Sequence, residues 1–322
     1  MTALLEVMRR RIVKQGHNTL TISLPRKWCD RNKLEEGEEI DVIEKGEHLL
    51  LSKGISKGIG KISVDISGLD RSTIVMLILS LYQYGYDTIV ITTKNTKAKY
   101  HLQNREVSVA ATINEALGRL IGAEITSSSK NRYTIEVVTE DAREKFDIVL
   151  RRVFRLLIEM FDAFIEGLRK KDKELVESVA FFQQINIRKF ANYALRLLNK
   201  FGHKDAENTT FYFAIVKYLN KTSEMIKNFA GFTVVEGTMN LSPKFCDLLE
   251  EINESVKLYY SCFYKYDIKQ ISQLHINRDL FKKKLYKEYK KLSKDDLFIL
   301  GNMMQIFAIL LDLSELRMAI RH

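Results

Sequence analysis

Cysteine, proline and long apolar runs are all scarce in this chain of 322 residues. Its three cysteines exclude a disulfide scaffold and a cysteine-rich zinc module, so we expect a reducing, cytoplasmic compartment. An uninterrupted apolar run of about 18 residues is missing, and no membrane-spanning helix is predicted. The two prolines, Pro25 and Pro243, leave room for long uninterrupted helices.

The sequence also lacks the motifs of the common enzyme classes. It contains no Walker loop, no Ser-His-Asp order and no His/Cys metal spacing, so enzymatic activity is not predicted. What it has is positive charge: 51 Lys and Arg against 41 Asp and Glu, for a net charge of +10. Such a surplus favours nucleic acid, an anionic membrane face or phosphates as partners.

The charge is divided unevenly at the N-terminus. Residues 1–33 contain eight Lys or Arg and two acids, whereas residues 34–54 contain two Lys and seven acids. The same segment alternates apolar and polar residues from Arg11 to Leu24, and two further strands are predicted over 39–44 and 48–52. Four short strands bury little surface by themselves, so we expect a second copy of the unit to complete its core.

The rest of the chain predicts an α/β segment followed by helices. Residues 54–61 hold three glycines without the spacing of a phosphate loop and are interpreted as a linker. Residues 61–140 predict the order β-α-β-α-β-β, with Ser72 as the N-cap of the first helix. This segment is interpreted as a spacer or regulatory module.

Apolar residues recur at spacings of three and four throughout residues 141–322. The pattern predicts six helices, at about 141–170, 173–201, 205–231, 243–266, 268–292 and 294–321. Asp172 and Asp267 each follow a long helix and are predicted to cap the next one, so two copies of a three-helix hairpin are the simplest interpretation.

One stretch resembles a known family. RRIVKQGHNTLTISLPRKW, from Arg10 to Trp28, followed by LEEGEEI, from Leu34 to Ile40, resembles the SpoVT/AbrB swapped-hairpin domain at the front of archaeal PhoU-like phosphate uptake regulators. The C-terminal half is similar to PhoU. The resemblance implies a multidomain α+β fold with a swapped-hairpin β-barrel over 1–54, a small α/β sheet unit over 61–140 and an all-α PhoU-like bundle over 141–322.

The resemblance also implies a function. Strands of two chains would interleave into one dimeric barrel whose basic face contacts double-stranded DNA, and the matching positions are Arg9, Arg10, Arg11, Lys14, His17, Asn18, Arg26, Lys27 and Arg31. Lys and Arg would bind phosphates, and His17 and Asn18 would reach base edges. The implied protein is a transcriptional regulator of phosphate uptake whose bundle receives a signal from a partner, such as the phosphate transporter ATPase. The alternative is an adaptor that dimerises through the barrel and docks on a transporter or sensor without DNA.

Two features of the helical part differ from the PhoU pattern or add to it. PhoU helices pair carboxylates to hold metal clusters, but Gln184, Asn186 and Phe281 stand here at positions where acids belong. We therefore predict no cofactor, and metal clusters that are absent or reduced to one weak site. Residues 268–294 contain nine Lys or Arg and two acids, which is typical of a solvated helix face but also suits DNA flanks, acidic partners or an anionic membrane face.

Overall fold

The computed structural model describes residues 8–16, 18–45, 48–52, 60–139, 141–235, 241 and 243–320. The chain divides into two compact units, residues 1–58 and residues 59–322. It is mostly helical, and its described strands form several small sheets.

The first unit consists of two hairpins around a short helix. Its elements are β1 (Val13–Gln15), β2 (Thr19–Thr21), α1 (Arg26–Arg31), β3 (Asp41–Lys45) and β4 (His48–Ser52). Gly16 turns the first hairpin with φ at 71°, a conformation that favours glycine. The predicted strands and short helix are confirmed, while the described residues of this unit form two separate two-stranded sheets and no closed barrel.

The second unit begins with the α/β segment. Its elements are β5 (Lys61–Asp65), α2 (Arg71–Tyr84), β6 (Thr88–Thr92), β7 (Lys97–Tyr100), β8 (Arg105–Ser108), α3 (Val109–Leu117), β9 (Ala123–Ser129) and β10 (Arg132–Val137). The main sheet has the order β5-β6-β10-β9, with β5 parallel to β6 and the other pairs antiparallel. The β7-β8 hairpin was not predicted, because its sequence is largely polar.

The predicted N-cap of α2 is wrong by two residues. Asp70, rather than Ser72, precedes the helix, and its Oδ1 accepts from the backbone N–H groups of Ser72 at 2.8 Å and Thr73 at 3.2 Å. Both residue types are good caps, so the sequence signal was ambiguous. The predicted caps Asp172 and Asp267 are confirmed, since each side chain accepts a backbone N–H of the following helix.

The helices of the C-terminal part follow the predicted pattern with two interruptions. They are α4 (Lys145–Lys170), α5 (Lys173–Ser178), α6 (Gln184–Phe201), α7 (Thr209–Val235), α8 (Pro243–Tyr264), α9 (Ile268–Glu288), α10 (Lys294–Met303) and α11 (Gln305–Ile320). A π-helical turn, Val179–Gln183, separates α5 from α6, and Met304 separates α10 from α11. The second and sixth predicted helices are therefore each divided in two.

The segment Lys294–Ile320 is long and apolar enough to cross a membrane, judged by length and composition alone. It was not predicted from the sequence, because polar residues such as Asp312 interrupt its apolar runs. Many of its apolar side chains, including Ile306 and Leu310, are buried in the core of the unit, and the hydroxyl of Tyr259 on α8 donates to the carbonyl of Leu313 at 3.0 Å. Packing inside the bundle accounts for its composition.

A buried ion network joins the α/β segment to the helices. Arg196 on α6 is 0% exposed, and its Nε donates to Asp141 Oδ2 at 2.9 Å. Its Nη1 donates to the carbonyls of Tyr82 at 3.1 Å and Tyr86 at 2.8 Å, and its Nη2 pairs with Asp87. Because a buried guanidinium needs its donors satisfied, this network fixes α6 against the end of α2 and the start of β6.

Candidate nucleic-acid interface

The first group of predicted contact residues lies on the N-terminal hairpin. Arg9, Arg10 and Arg11 lie before β1, and Lys14 is its middle residue. All four side chains are exposed, and within the described residues none of them forms an ion pair. Asn18 is exposed in the turn between β1 and β2, whereas His17 lies outside the described residues. Unneutralised arginines and lysines of this kind bind phosphate oxygens through charge-assisted hydrogen bonds.

The second group lies on α1. Lys27 and Arg31 are exposed and one helical turn apart, so they lie on the same face of the helix. Arg26 forms an ion pair with Asp30, Nε to Oδ1 at 2.9 Å, and both side chains are largely exposed. Such a surface pair is weak and can be exchanged for a phosphate contact. The structure thus places the predicted residues in two exposed groups, one on the hairpin and one on α1.

The apolar residues of the same unit are also exposed. Leu20 is 69% exposed, and Ile12 and Ile22 are each more than half exposed. Lys14 lies opposite Leu20 in the hairpin register, so these two side chains share one face, and continuing the period of two by one residue on each strand places Ile12 and Ile22 on that face as well. We call these three residues the apolar stripe. None of the described side chains in residues 8–52 is buried, and an apolar face of this kind on so small a unit marks an interaction surface.

Several carboxylates of the helical part are engaged with cations. Asp162 Oδ1 lies 2.8 Å from Lys257 Nζ, Glu166 Oε1 lies 2.6 Å from Lys170 Nζ, and Asp279 pairs with Arg278 at 2.9 Å. Across the described ranges, no three His, Cys, Asp or Glu side chains converge as ligands of one ion. Metal clusters need several oxygens directed at one point. The donor set described here therefore does not fit such a cluster.

The basic run on α9 is partly neutralised. Lys284 pairs with Glu251, and Lys291 Nζ lies 3.3 Å from Glu288 Oε2. Lys283 and Lys287 on α9 remain exposed, as do Ile276 and Leu280 on the same helix and Lys290 in the turn that follows it. The alternatives of a solvated face and a contact surface remain open.

One further set of charged residues was not recognised in the sequence. Arg71, Arg119, Arg188 and Lys227 come from widely separated parts of the chain and share one electrostatic environment in the second unit. No local spacing connects them, and the signal that reveals them is tertiary.

No protein-family model, curated protein or solved structure matches this chain. A functional assignment therefore depends on the residues, their geometry and the resemblance described above.

Proposed function

We propose that the chain is a homodimeric DNA-binding transcriptional regulator. Residues 1–54 would form one swapped-hairpin barrel with a second copy, and the helical part would be a PhoU-like bundle of two three-helix repeats that receives a signal. The observation that carries the proposal is the presence, in one small unit, of unpaired exposed basic residues and an exposed apolar stripe. The resemblance supplies the process, phosphate uptake, and a cytoplasmic location.

The apolar stripe supports the dimer. Burying one Ile or Leu side chain stabilises an assembly by about 1.5–3 kcal/mol, so three such residues per chain represent a substantial driving force. A second copy is the simplest occupant, because a two-fold axis brings the same stripe of two chains together without any further partner. Closing the two hairpins of each chain into a shared barrel would also satisfy their strand edges.

The basic residues support DNA as the ligand. Arg9, Arg10, Arg11 and Lys14 have no acidic partner within the described residues, and the dimer would present each of them twice. Lys14 shares the face of the apolar stripe next to the hairpin turn, so the proposed dimer would leave it at the rim of the buried stripe. Phosphate contacts give affinity and register, while Asn18 is an amide suited to a base edge. A two-fold symmetric protein predicts a palindromic target site.

The salt dependence of DNA binding tests the proposal. The full-length protein and the variant Arg10→Ala/Lys14→Ala are compared by fluorescence anisotropy on a labelled duplex at several salt concentrations. Removing four phosphate contacts per dimer lowers the slope of log K against log salt by about 3 to 4. The control Lys130→Ala/Arg132→Ala removes two exposed cations, one in the turn after β9 and one at the first residue of β10, and leaves the slope unchanged. An equal slope for all three proteins would favour the adaptor.

The assignment to phosphate uptake needs a separate test. DNA bound by the tagged protein is recovered from cells grown with and without phosphate and sequenced. We expect discrete sites upstream of phosphate transport genes, with an occupancy that changes with phosphate. Discrete sites elsewhere would retain DNA binding and reject the assigned process.

A further inference from the structure

Four cations gather where the α/β segment packs on the helices. Arg71 is the first residue of α2, Arg119 follows α3, Arg188 lies on α6 and Lys227 lies on α7. All four side chains are partly buried. These four residues, which come from both halves of the second unit, are named the cation cluster below.

Two carboxylates neutralise part of the cation cluster. Glu115 Oε1 accepts from Arg71 Nη2 and, at 2.5 Å, from Arg119 Nη2, so two guanidinium groups share one carboxylate oxygen. Glu224 lies 3.6 Å from Arg188, Oε1 to Nη2. Four positive charges and two negative charges leave an excess of two positive charges in a partly buried site.

Lys227 has no counter-ion of its own among the described residues. Within the described residues it forms no ion pair or hydrogen bond, although it is partly buried. Burial and the nearby Arg119, Arg188 and Arg71 lower its pKa, and Glu224 opposes this change. Burial and Arg188 likewise lower the pKa of Arg119. Holding these cations together is unfavourable until a negative charge joins them.

A neighbouring donor also lacks an acceptor. Gln184 lies on α6 one helical turn before Arg188, and the two residues therefore share one face of the helix. Gln184 is 4% exposed, and its Nε2 has no hydrogen-bond partner in the described part of the chain. A buried amide donor without an acceptor is unfavourable, and an anion bound beside Arg188 on this face of α6 would supply one.

We propose that the cation cluster binds a small anion that carries a phosphate group, either inorganic phosphate or a phosphate ester. The planar guanidinium groups of three arginines suit the tetrahedral oxygens of phosphate, and Lys227 supplies a compact point charge. A phosphate monoester carries a charge of about −1.5 to −2 at pH 7, which matches the excess positive charge of the site. The bound anion would tie α2 and α3 to α6 and α7. The site does not depend on the DNA-binding proposal.

Thermal unfolding and calorimetry of the full-length protein test this site. Inorganic phosphate and ribose 5-phosphate are the probes, and chloride keeps the ionic strength constant. We expect at least one probe to raise the Tm and to bind in calorimetry. The variant Lys227→Met should bind that probe about tenfold or more weakly, because one charge-assisted contact is lost. Without any probe it should melt above the natural protein, because an unneutralised cation is removed.

The control variant is Lys221→Met, which replaces an exposed lysine on the same helix and leaves binding unchanged. Lys227→Gln provides a second, polar replacement should the methionine variant not fold. Binding of inorganic phosphate alone or of the ester alone supports the site and identifies the source of the phosphate group. Failure of both probes to bind, or equal binding by the natural protein and both Lys227 variants, would overturn the proposal. Neither result affects the DNA-binding test, which uses different residues.

Discussion

The two units of this chain differ in how they use their apolar residues. The second unit buries large aromatic and aliphatic side chains such as Phe154, Phe161 and Tyr259 in one core that runs from the sheet to the last helix. The first unit alternates apolar and polar residues just as regularly, yet none of its described side chains is buried. A correct local pattern is therefore sufficient for secondary structure, while a core also needs enough chain to enclose it.

The helix ends show the same difference. Five helices of the second unit, α2, α3, α5, α9 and α10, each begin with an Asp or Ser whose side chain accepts a backbone N–H group, while α4 and α6 begin without such a cap. The only described helix of the first unit, α1, begins after Pro25 with no side-chain cap. Caps and core packing stabilise the second unit from within. The first unit has neither of these among its described residues, and we expect its stability to come from a second copy.

The largest effect is expected from a substitution in the apolar stripe, which tests whether a second copy stabilises the first unit. Leu20→Glu removes a side chain from the apolar stripe of both chains and places a carboxylate in its position. Losing about 2 kcal/mol per chain weakens the dimer about a thousandfold. Light scattering after size-exclusion chromatography should show a monomer for this variant and a dimer for the natural protein.

The matched control is Leu102→Glu, which changes a leucine that is 84% exposed in the second unit. We expect it to remain a dimer. A dimer for both variants would mean that the apolar stripe is not the interface and would remove the main support for a shared barrel.

The next largest effect is expected from breaking the buried ion network of the second unit. Arg196→Met breaks the buried network and leaves Asp87 and Asp141 with Lys200, whose Nζ lies 2.9 Å from the first and 2.8 Å from the second. Because one cation remains, we expect a loss of about 3 kcal/mol, at the lower end for a broken buried pair. Chemical denaturation followed by circular dichroism at the helical band measures it. Arg155→Met, at an exposed position of α4, should change the free energy of unfolding far less.

The pH dependence of the free energy of unfolding tests how Asp141 stabilises the second unit. Burial raises the pKa of this carboxyl, but the Lys200 hydrogen bond and the charges of Arg196 and Lys200 outweigh burial, and the net pKa is lowered. The stabilisation is therefore complete above the unfolded pKa of about 3.9 and is lost as the pH falls through the lower folded pKa.

Denaturation of the natural protein and of Asp141→Asn between neutral and acid pH measures this contribution. The variant should be less stable by about 2 kcal/mol at pH 7, since a charged hydrogen-bond acceptor is lost. The difference should shrink as the pH falls below about 4. Glu124→Gln, at an exposed position of β9, serves as the control. A difference that is constant down to the acid transition would contradict the role given to Asp141.

The smallest expected effect is the loss of a cap. Asp70→Ala removes the acceptor of two backbone N–H groups at the start of α2 and should cost about 1 kcal/mol. Asp70→Asn keeps an accepting oxygen and should lie within a few tenths of a kcal/mol of the natural protein. Thermal unfolding of both variants distinguishes the cap from a general effect of substitution.

Much of the architecture was predictable because its signals are local. The spacing of three and four placed the long helices, and Asp172 and Asp267 were correctly predicted as caps. The π turn at Val179–Gln183 and the break at Met304 were not predicted, since the apolar period continues through both. The β7-β8 hairpin was not predicted either, in this case because few of its residues are apolar.

The two candidate sites also differ in how far they could be predicted from the sequence. The basic residues from Arg9 to Lys14 are adjacent in the chain, so their positive charge was evident from the sequence. The cation cluster joins residues as far apart as Arg71 and Lys227, and no pattern of short period connects them.

The sequence by itself determined most of the elements of this protein and the distribution of its charge, because hydrophobic period, capping residues and charge runs act over one or two turns of chain. The tertiary structure decided which apolar residues are buried, how Arg196 links the sheet to the helices and how Lys227 comes to lie near three arginines without an ion pair among the described residues. Burial and electrostatic coupling depend on distances in space, and folding sets those distances between residues that are remote along the chain.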